Sequence, residues 1–217
     1  MARVKKQVLG DVIGTVGEVS FSKRKGKNQV KGKPDRPKRK AGERLPDQNL
    51  KLPLIVKLMT KFDSQINLGF ANKAKRDWTP VNAAVAYNMK RSIIGNAPDF
   101  DIDYSKISIS RGKRETAWSG RYTYAEGRVN VTWEIPQCVK LKAVGTDKAY
   151  LLFYNSTKKR TVMVDGHVDR AALSFQAPGR HFVTGGIMHA WIFFVSPDGK
   201  ETSNSDYLGS IIIDKKK

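Results

Sequence analysis

The second half of the chain contains short apolar runs separated by turn signals, and this rhythm constrains the fold more than any other feature. The runs are KISIS, RVNVTWEI, AYLLFYN, RTVMV, AALSF, HAWIFFV and YLGSIII. Between them lie EG, GTD, DG, APG and SPDG, whose glycine, proline and aspartate residues favour turns. About seven short strands at this spacing are typical of a two-sheet β-sandwich.

Individual residues narrow the type of sandwich. Trp133 stands on an early strand and is followed by Pro136, and AYLLFYN alternates between two faces. The stretch WIFFVSPDGKETSNSDYL resembles a late hairpin of a fibronectin-type domain. The single cysteine, Cys138, excludes the paired cysteines of antibody domains and favours a reducing compartment. We therefore expect an immunoglobulin-like or fibronectin III-like β-sandwich over residues 99–217.

Residues 47–98 predict a helical hairpin, which makes the whole chain mainly β with a small helical part. In LPLIVKLMTKFDSQINLGF apolar residues recur every four positions, as in an amphipathic helix. Pro53 belongs in the first turn of this helix or marks a kink. A second helix is predicted from the cap Thr79 and from Pro80, with an apolar stripe that reaches Ile93 before Gly95. The two helices are expected to pack on each other or on the β-sandwich.

Residues 1–46 form a glycine-rich and strongly basic segment. Gly10, Gly14 and Gly17 match neither a dinucleotide fingerprint nor a P-loop, so a β-rich or irregular segment is expected. Residues 22–44 hold eleven Lys or Arg and two acidic residues. Their glycines and prolines disfavour a continuous helix and predict a hairpin around residues 25–28 that continues as an extended arm.

This basic arm is the main candidate for contact with a polyanion, because the chain carries a formal charge of +20. It contains no aromatic residue, so it could grip phosphates without reading bases. An acidic groove of a neighbouring protein is the alternative partner, and a solvated linker is the third interpretation. The candidate residues are Lys23, Arg24, Lys25, Lys27, Lys31, Lys33, Arg36, Lys38, Arg39, Lys40 and Arg44.

A secondary basic patch is predicted around Trp118 in RGKRETAWSGR. Its members could contact a polyanion or stack on the indole ring, while the alternative is that Trp118 covers a sheet edge. The members are Arg111, Lys113, Arg114 and Arg121.

A search for catalytic chemistry finds no local signature. The three histidines, His167, His181 and His189, have no metal-binding spacing, and neither HExxH nor GxSxG occurs. In DFDIDY three aspartates alternate, but a calcium loop would require Gly and Glu where Tyr104 and Ser110 stand. We therefore expect no enzyme, metal or cofactor, although a catalytic site assembled from distant residues stays open. An acidic linker, or a partner for the basic arm, is the expected role of the aspartates.

The sequence also lacks recognisable targeting signals. No apolar run approaches the roughly 18 residues of a membrane span, and the N-terminal region lacks the apolar core of a secretory signal. We expect no membrane partner, and a location in a virion or in the cytoplasm.

Several segments together resemble a family of proteins of about this length that is associated with Bacteroidota and phages. The segments are GDVIGTVGEV, INLGF, TPVNAAVAYN, DFDIDYSKISISRG, YNSTKK and FFVSPDGKETSNSDYLG. The resemblance implies a glycine-rich N-terminal segment, a helical pair and a C-terminal immunoglobulin-like or fibronectin III-like domain. That family has no established activity, so the resemblance favours a non-enzymatic role and assigns no functional residue.

The leading functional hypothesis is a non-enzymatic, oligomeric structural component of a large assembly, with a phage virion as its most specific form. The protein would be a capsid, auxiliary or connector protein whose basic arm contacts neighbouring subunits or nucleic acid. The alternative is a nucleic-acid-binding protein, such as a ribosome-associated one, whose basic arm lies along the phosphate backbone. A hydrolase acting on an anionic polymer is the third hypothesis.

Overall fold

The computed structural model describes residues 2–3, 13–24, 26–32, 47–73, 78–135, 144–179 and 185–213. The chain divides into two compact units, which we call the N-terminal unit (Met1–Arg44) and the main unit (Leu45–Lys217). The helical segment and the β-sandwich therefore belong to one unit, and the basic hairpin belongs to the other.

The N-terminal unit contains an antiparallel sheet of four strands in the order β1-β4-β3-β2. Gly26, with φ +72°, sits in the tight turn between β3 and β4, where a left-handed backbone favours glycine. This confirms the predicted hairpin. The strands are β1 (Ala2–Arg3), β2 (Gly14–Val16), β3 (Val19–Arg24) and β4 (Lys27–Gly32).

The main unit begins with a continuous helical segment over residues 47–69. It consists of α1 (Asp47–Met59), one 3-10 turn (Thr60–Phe62) and α2 (Asp63–Gly69). The segment begins earlier than expected, so Pro53 lies inside α1 rather than in its first turn.

The second helix, α3 (Pro80–Met89), starts as predicted, because the Thr79 hydroxyl accepts a hydrogen bond from the Asn82 amide at 3.2 Å. Its predicted extension to Ile93 is wrong. The Ser92 carbonyl accepts from the Asp103 amide at 2.7 Å, so the backbone beyond Met89 pairs with a later segment instead of continuing the helix. The chain then forms a hairpin of β5 (Ile93–Asn96) and β6 (Asp99–Ile102).

Seven further strands form a sandwich of two antiparallel sheets, one ordered β11-β8-β7 and the other β10-β9-β12-β13. In chain order, the first, second and fifth of these strands form the three-stranded sheet, and the other four strands form the four-stranded sheet. This arrangement confirms the predicted immunoglobulin-like or fibronectin III-like sandwich. The strands are β7 (Trp118–Ala125), β8 (Arg128–Glu134), β9 (Lys148–Asn155), β10 (Arg160–Asp169), β11 (Ser174–Pro178), β12 (Gly186–Val195) and β13 (Asp206–Ile213).

The predicted strand KISIS is wrong, and β7 takes its place as the first strand of the sandwich. A 3-10 turn (Tyr104–Lys106) opens this stretch. The Asn88 side chain then donates to the Ser108 carbonyl and accepts from the Ser108 amide, both at 2.8 Å. A helix side chain thus satisfies the backbone groups that a neighbouring strand would otherwise pair with.

The β10-β9-β12-β13 sheet is covered on both faces. On one face Ile192 and Phe194 pack against the three-stranded sheet, and on the other Trp191 and Phe193 pack against the helices. The unbroken apolar run AWIFFV in β12 follows from this burial on both sides. The main unit is therefore a three-layered body.

Candidate partner-binding surfaces

The register of the N-terminal sheet separates two chemically different faces. Val16 pairs with Val19, and Phe21 pairs with Val30. Because directly paired residues lie on the same side of an antiparallel sheet, these four form one face, which we call the apolar face. Val16 is 70% exposed, while the other three are half-buried.

The opposite side, which we call the polar face, carries hydroxyl, amide and ammonium groups. Ser20 pairs with both Thr15 and Lys31, and the Thr15 hydroxyl donates to the Ser20 hydroxyl at 3.5 Å. Lys27 and Lys31 are exposed. The described members of the polar face are Thr15, Ser20, Ser22, Lys27, Gln29 and Lys31.

The predicted basic arm is described only in part. Lys23, Arg24, Lys27 and Lys31 lie in β3 and β4, so this part of the stretch forms the predicted hairpin. The remaining candidates lie outside the described residues: Lys25, Lys33, Arg36, Lys38, Arg39, Lys40 and Arg44.

The predicted secondary basic patch consists of residues with different partners. Arg114 forms ion pairs with Asp147 at 3.2 Å and with Glu201 at 3.1 Å, so it neutralises carboxylates of the chain itself. Arg111 lies over the ring of Tyr87, with its guanidinium carbon 4.2 Å from the ring centre. The other members, Lys113 and Arg121, are exposed, as is Trp118.

A buried arginine fixes the segment that precedes β7. Arg170 is 0% exposed and donates to the carbonyl oxygens of Glu115 and Thr116 at 2.8 and 2.6 Å. Its guanidinium lies 4.3 Å from the Phe194 ring centre and 3.9 Å from the buried carboxylate of Asp147. Burial raises the pKa of Asp147, and the nearby arginines oppose that rise. This network serves the fold.

A cleft of about 210 Å³ lies between α1, β6 and the β9–β10 turn. Its apolar lining comes from Leu54, Leu58, Ile102, Tyr104 and Tyr154. Its charged residues are Lys57, Lys61, Lys159 and Asp101. The cleft, which we call the lysine cleft, combines an apolar lining with an excess of positive charge.

The chain belongs to the DUF6266 family. The model of this family of unknown function matches residues 10–209, which include most of the N-terminal sheet and nearly all of the main unit. No curated protein matches the chain. Membership in DUF6266 assigns no activity, and the predicted association with Bacteroidota and phages stays a prediction.

The other candidate residues of this DUF6266 protein have local roles. Asp103 accepts from the Ser105 amide at 3.1 Å and pairs with Lys106 at 2.9 Å, while Asp99 and Asp101 lie in β6. His189 is buried, and its Nδ1 lies 2.8 Å from the Tyr207 hydroxyl. His167 is exposed in β10.

Neither a metal cluster nor a membrane span is found in the part of the chain that the structure describes. Its His, Cys, Asp and Glu residues form no group of three or more that could hold a metal ion. None of its helices is both long and apolar enough to cross a bilayer. His181 and Cys138 lie outside the described residues.

Sequence reasoning missed the two-faced character of the N-terminal sheet. The signal was present, because apolar residues alternate with polar ones in β3, where Val19 and Phe21 flank Ser20. The density of lysine and arginine directed the interpretation toward a flexible arm. The pairing of β2 with β3, which places Val16 on the same face, is a tertiary fact that composition does not reveal.

Proposed function

We propose that this protein is a non-enzymatic structural component of a large assembly, and that the assembly is a phage virion. In this proposal a neighbouring subunit covers the apolar face of the N-terminal sheet. The observation that carries it is the two-faced sheet itself, with Val16, Val19, Phe21 and Val30 on one side.

A sheet with one apolar face gains stability only when that face is removed from water. Within the described part of the N-terminal unit the sheet forms a single layer. On this face Val16 is 70% exposed, and Lys23, which follows Phe21 on the same side, is also exposed. A partner surface with an apolar centre and acidic edges would complement this face.

The main unit supports the same role. Its three-layered body supplies a rigid scaffold, and the lysine cleft repeats the chemistry of the sheet on a second surface. The cleft combines Leu54 and Leu58 with Lys57 and Lys61, so it suits a segment with an apolar anchor and acidic flanks. Two separate surfaces of similar character are useful to a subunit that contacts more than one neighbour.

The second candidate function is binding to nucleic acid, and the polar face is the observation that favours it. Lys27 and Lys31 are exposed on that side and lie on one strand, where they could follow a phosphate backbone. Such contacts release counterions, so about six of them would weaken binding roughly a thousandfold over a fourfold rise in salt.

A pair of neighbouring substitutions tests the proposal. Val16→Lys adds a charge to the apolar face, whereas Thr15→Lys adds the same charge to the polar face one residue away. Both positions are exposed, so the fold of the main unit should tolerate both. The full-length variants are compared by sedimentation and by co-purification with particles at about 0.1 and 0.5 M salt.

We expect Val16→Lys to lose most of the association and Thr15→Lys to retain it at both salt concentrations. Association of Val16→Lys at the wild-type level would contradict the proposal. If both variants bound nucleic acid at least as well as the wild type, and released it in high salt, the second candidate function would replace the first.

A further inference from the structure

Two arginines of the main unit share one tyrosine ring. The guanidinium carbons of Arg91 and Arg111 lie 4.0 and 4.2 Å from the ring centre of Tyr87. Within the ranges that the structure describes, neither side chain has a carboxylate partner. Both differ in this from Arg114, which is paired with two carboxylates.

A polar cleft of about 270 Å³ opens beside this ring. Tyr87 and Arg111 form one part of its wall, and Lys106, Ser108 and Asn204 line the remainder together with neighbouring groups. We call this site the arginine–tyrosine cleft. Most of its lining is hydrogen-bonding or charged, in contrast to the lysine cleft.

The backbone around the cleft is firmly held. The Arg111 amide donates to the Gly69 carbonyl at 2.9 Å, and a side chain at Gly69 would collide with the backbone at Ile109. The Ser110 hydroxyl donates to the Ser203 carbonyl at 2.7 Å. Arg111 therefore projects from a segment whose position is set by α2 and by the loop before β13, so its placement requires little ordering on binding.

The electrostatics of the pair favour an anion. Two like charges held on one ring repel each other, and stacking on tyrosine offsets this only in part. A guanidinium that stacks on a ring keeps its N–H edge for hydrogen bonds, and that fork matches carboxylate and phosphate oxygens. A bound anion would supply the counter-charge that the described residues do not.

The number of donors distinguishes between the two kinds of anion. A carboxylate offers two oxygens, whereas a phosphate offers three or more strong acceptors. Three residues of the lining, Arg111, Lys106 and Asn204, can together donate more hydrogen bonds than one carboxylate accepts, even though Lys106 also pairs with Asp103 at 2.9 Å. We propose that the arginine–tyrosine cleft binds a phosphate group, as free phosphate or as the ester of a small molecule. This inference is independent of the proposed assembly role.

The test is a titration of the full-length protein, followed by amide chemical shifts in NMR spectra. The probes are inorganic phosphate, adenosine monophosphate and acetate. Arg111→Lys keeps the net charge but loses the planar fork, and Arg91→Lys makes the same change at an exposed position. The control is Lys113→Gln, which removes one charge at an exposed position two residues from Arg111.

We expect saturable phosphate binding, with shifts centred on residues 87, 106 and 111, that weakens roughly tenfold in Arg111→Lys. Arg91→Lys should weaken binding less, because Arg91 lies on the Tyr87 ring but does not line the cleft. The control should stay within about twofold of the wild type, because Lys113 does not line the cleft and its exposed charge is partly screened. Tighter binding of adenosine monophosphate would identify an ester as the ligand, and equal binding would identify free phosphate.

Three results would overturn the inference. The first is equal phosphate affinity in the wild type and in both arginine variants. The second is an equal loss in Lys113→Gln and Arg111→Lys, which would indicate diffuse attraction to a basic protein. The third is acetate binding as tight as phosphate binding, which would indicate a carboxylate site. If Arg111→Lys does not fold, Asn204→Ala replaces it in the same comparison, because Asn204 is an exposed residue of the cleft lining.

Discussion

The described residues include two four-stranded antiparallel sheets that differ in how their faces are covered. The β10-β9-β12-β13 sheet lies between a second sheet and the helices, and Phe193 and Phe194 in β12 point to opposite layers. The N-terminal sheet forms one layer within its described unit, with apolar and polar faces. The comparison teaches that the β10-β9-β12-β13 sheet is stabilised by layers of its own unit, whereas the N-terminal sheet, in our proposal, is stabilised by a partner that covers its apolar face.

The largest effect is expected from the core of the main unit. Phe193→Ala removes a side chain that is 0% exposed and packs against the helices. It should lower the free energy of unfolding by about 3–5 kcal/mol, measured by urea unfolding. Phe194→Ala, on the sandwich face of the same strand, is the matched variant and should cost a similar amount. A cost below about 1 kcal/mol for either variant would show that the layer it faces is not a packed core.

The buried arginine comes next. Arg170→Met leaves two carbonyl oxygens without their donor and removes one of the two cations beside Asp147. Removing one member of a buried ion pair should cost about 3 kcal/mol of unfolding free energy. Arg128→Met, an exposed change in β8, should alter the same urea curve by less than about 0.5 kcal/mol. Equal curves for the two variants would contradict a structural role for Arg170.

The free energy of unfolding should depend on pH because of His189, which lies in the helix-facing layer of the main unit. Burial lowers the pKa of His189 from 6.5 to about 4, so the unfolded chain binds a proton in this range that the native state does not. Stability should therefore fall by about 2 kcal/mol from about pH 7 to about pH 5 through this residue. Burial raises the pKa values of its neighbours Tyr104 and Tyr207, so both stay neutral there.

Urea unfolding at the two pH values checks this prediction in the wild type and in His189→Gln. The variant should lose most of that pH dependence. His167→Gln, at an exposed histidine, is the control and should keep it. An unchanged pH dependence in His189→Gln would contradict a buried, neutral His189.

The smallest effect on the main unit is expected from the other sheet. Phe21→Ala removes a half-buried side chain of the N-terminal unit and should change the unfolding free energy of the main unit by less than about 1 kcal/mol. The same variant should weaken association with partners. A loss of several kcal/mol in the main transition would show that the two units unfold as one.

Much of the fold could be predicted from the sequence, because its signals are local. Alternation in RVNVTWE and the cap formed by Thr79 and Pro80 identify elements without knowledge of their neighbours. The predictions for residues 90–112 were wrong because tertiary contacts determine the structure of this stretch. The Ser92 carbonyl pairs with the Asp103 amide, and the Asn88 side chain pairs with the backbone of Ser108. Both contacts join residues that are distant in sequence, so the local pattern does not indicate them.

The candidate sites were less predictable, because their members are distant in sequence. Arg111 and Arg114 are three residues apart, but one lies on Tyr87 and the other pairs with Asp147 and Glu201. A count of basic residues in the sequence does not distinguish Arg111 from Arg114. The partner that neutralises a cation is set by packing, so the sequence could indicate a basic surface without indicating which of its charges are available.

Hydrogen exchange of the backbone amides tests the central claim most directly, because it measures the stability of both sheets in one experiment. In the isolated, monomeric protein we expect the amides of β3 and β4 to exchange at least about a hundredfold faster than those of β12. They should become protected when the protein associates with its partner. Protection of β3 and β4 equal to that of β12 in the isolated protein would contradict the claim that the N-terminal sheet depends on a partner surface.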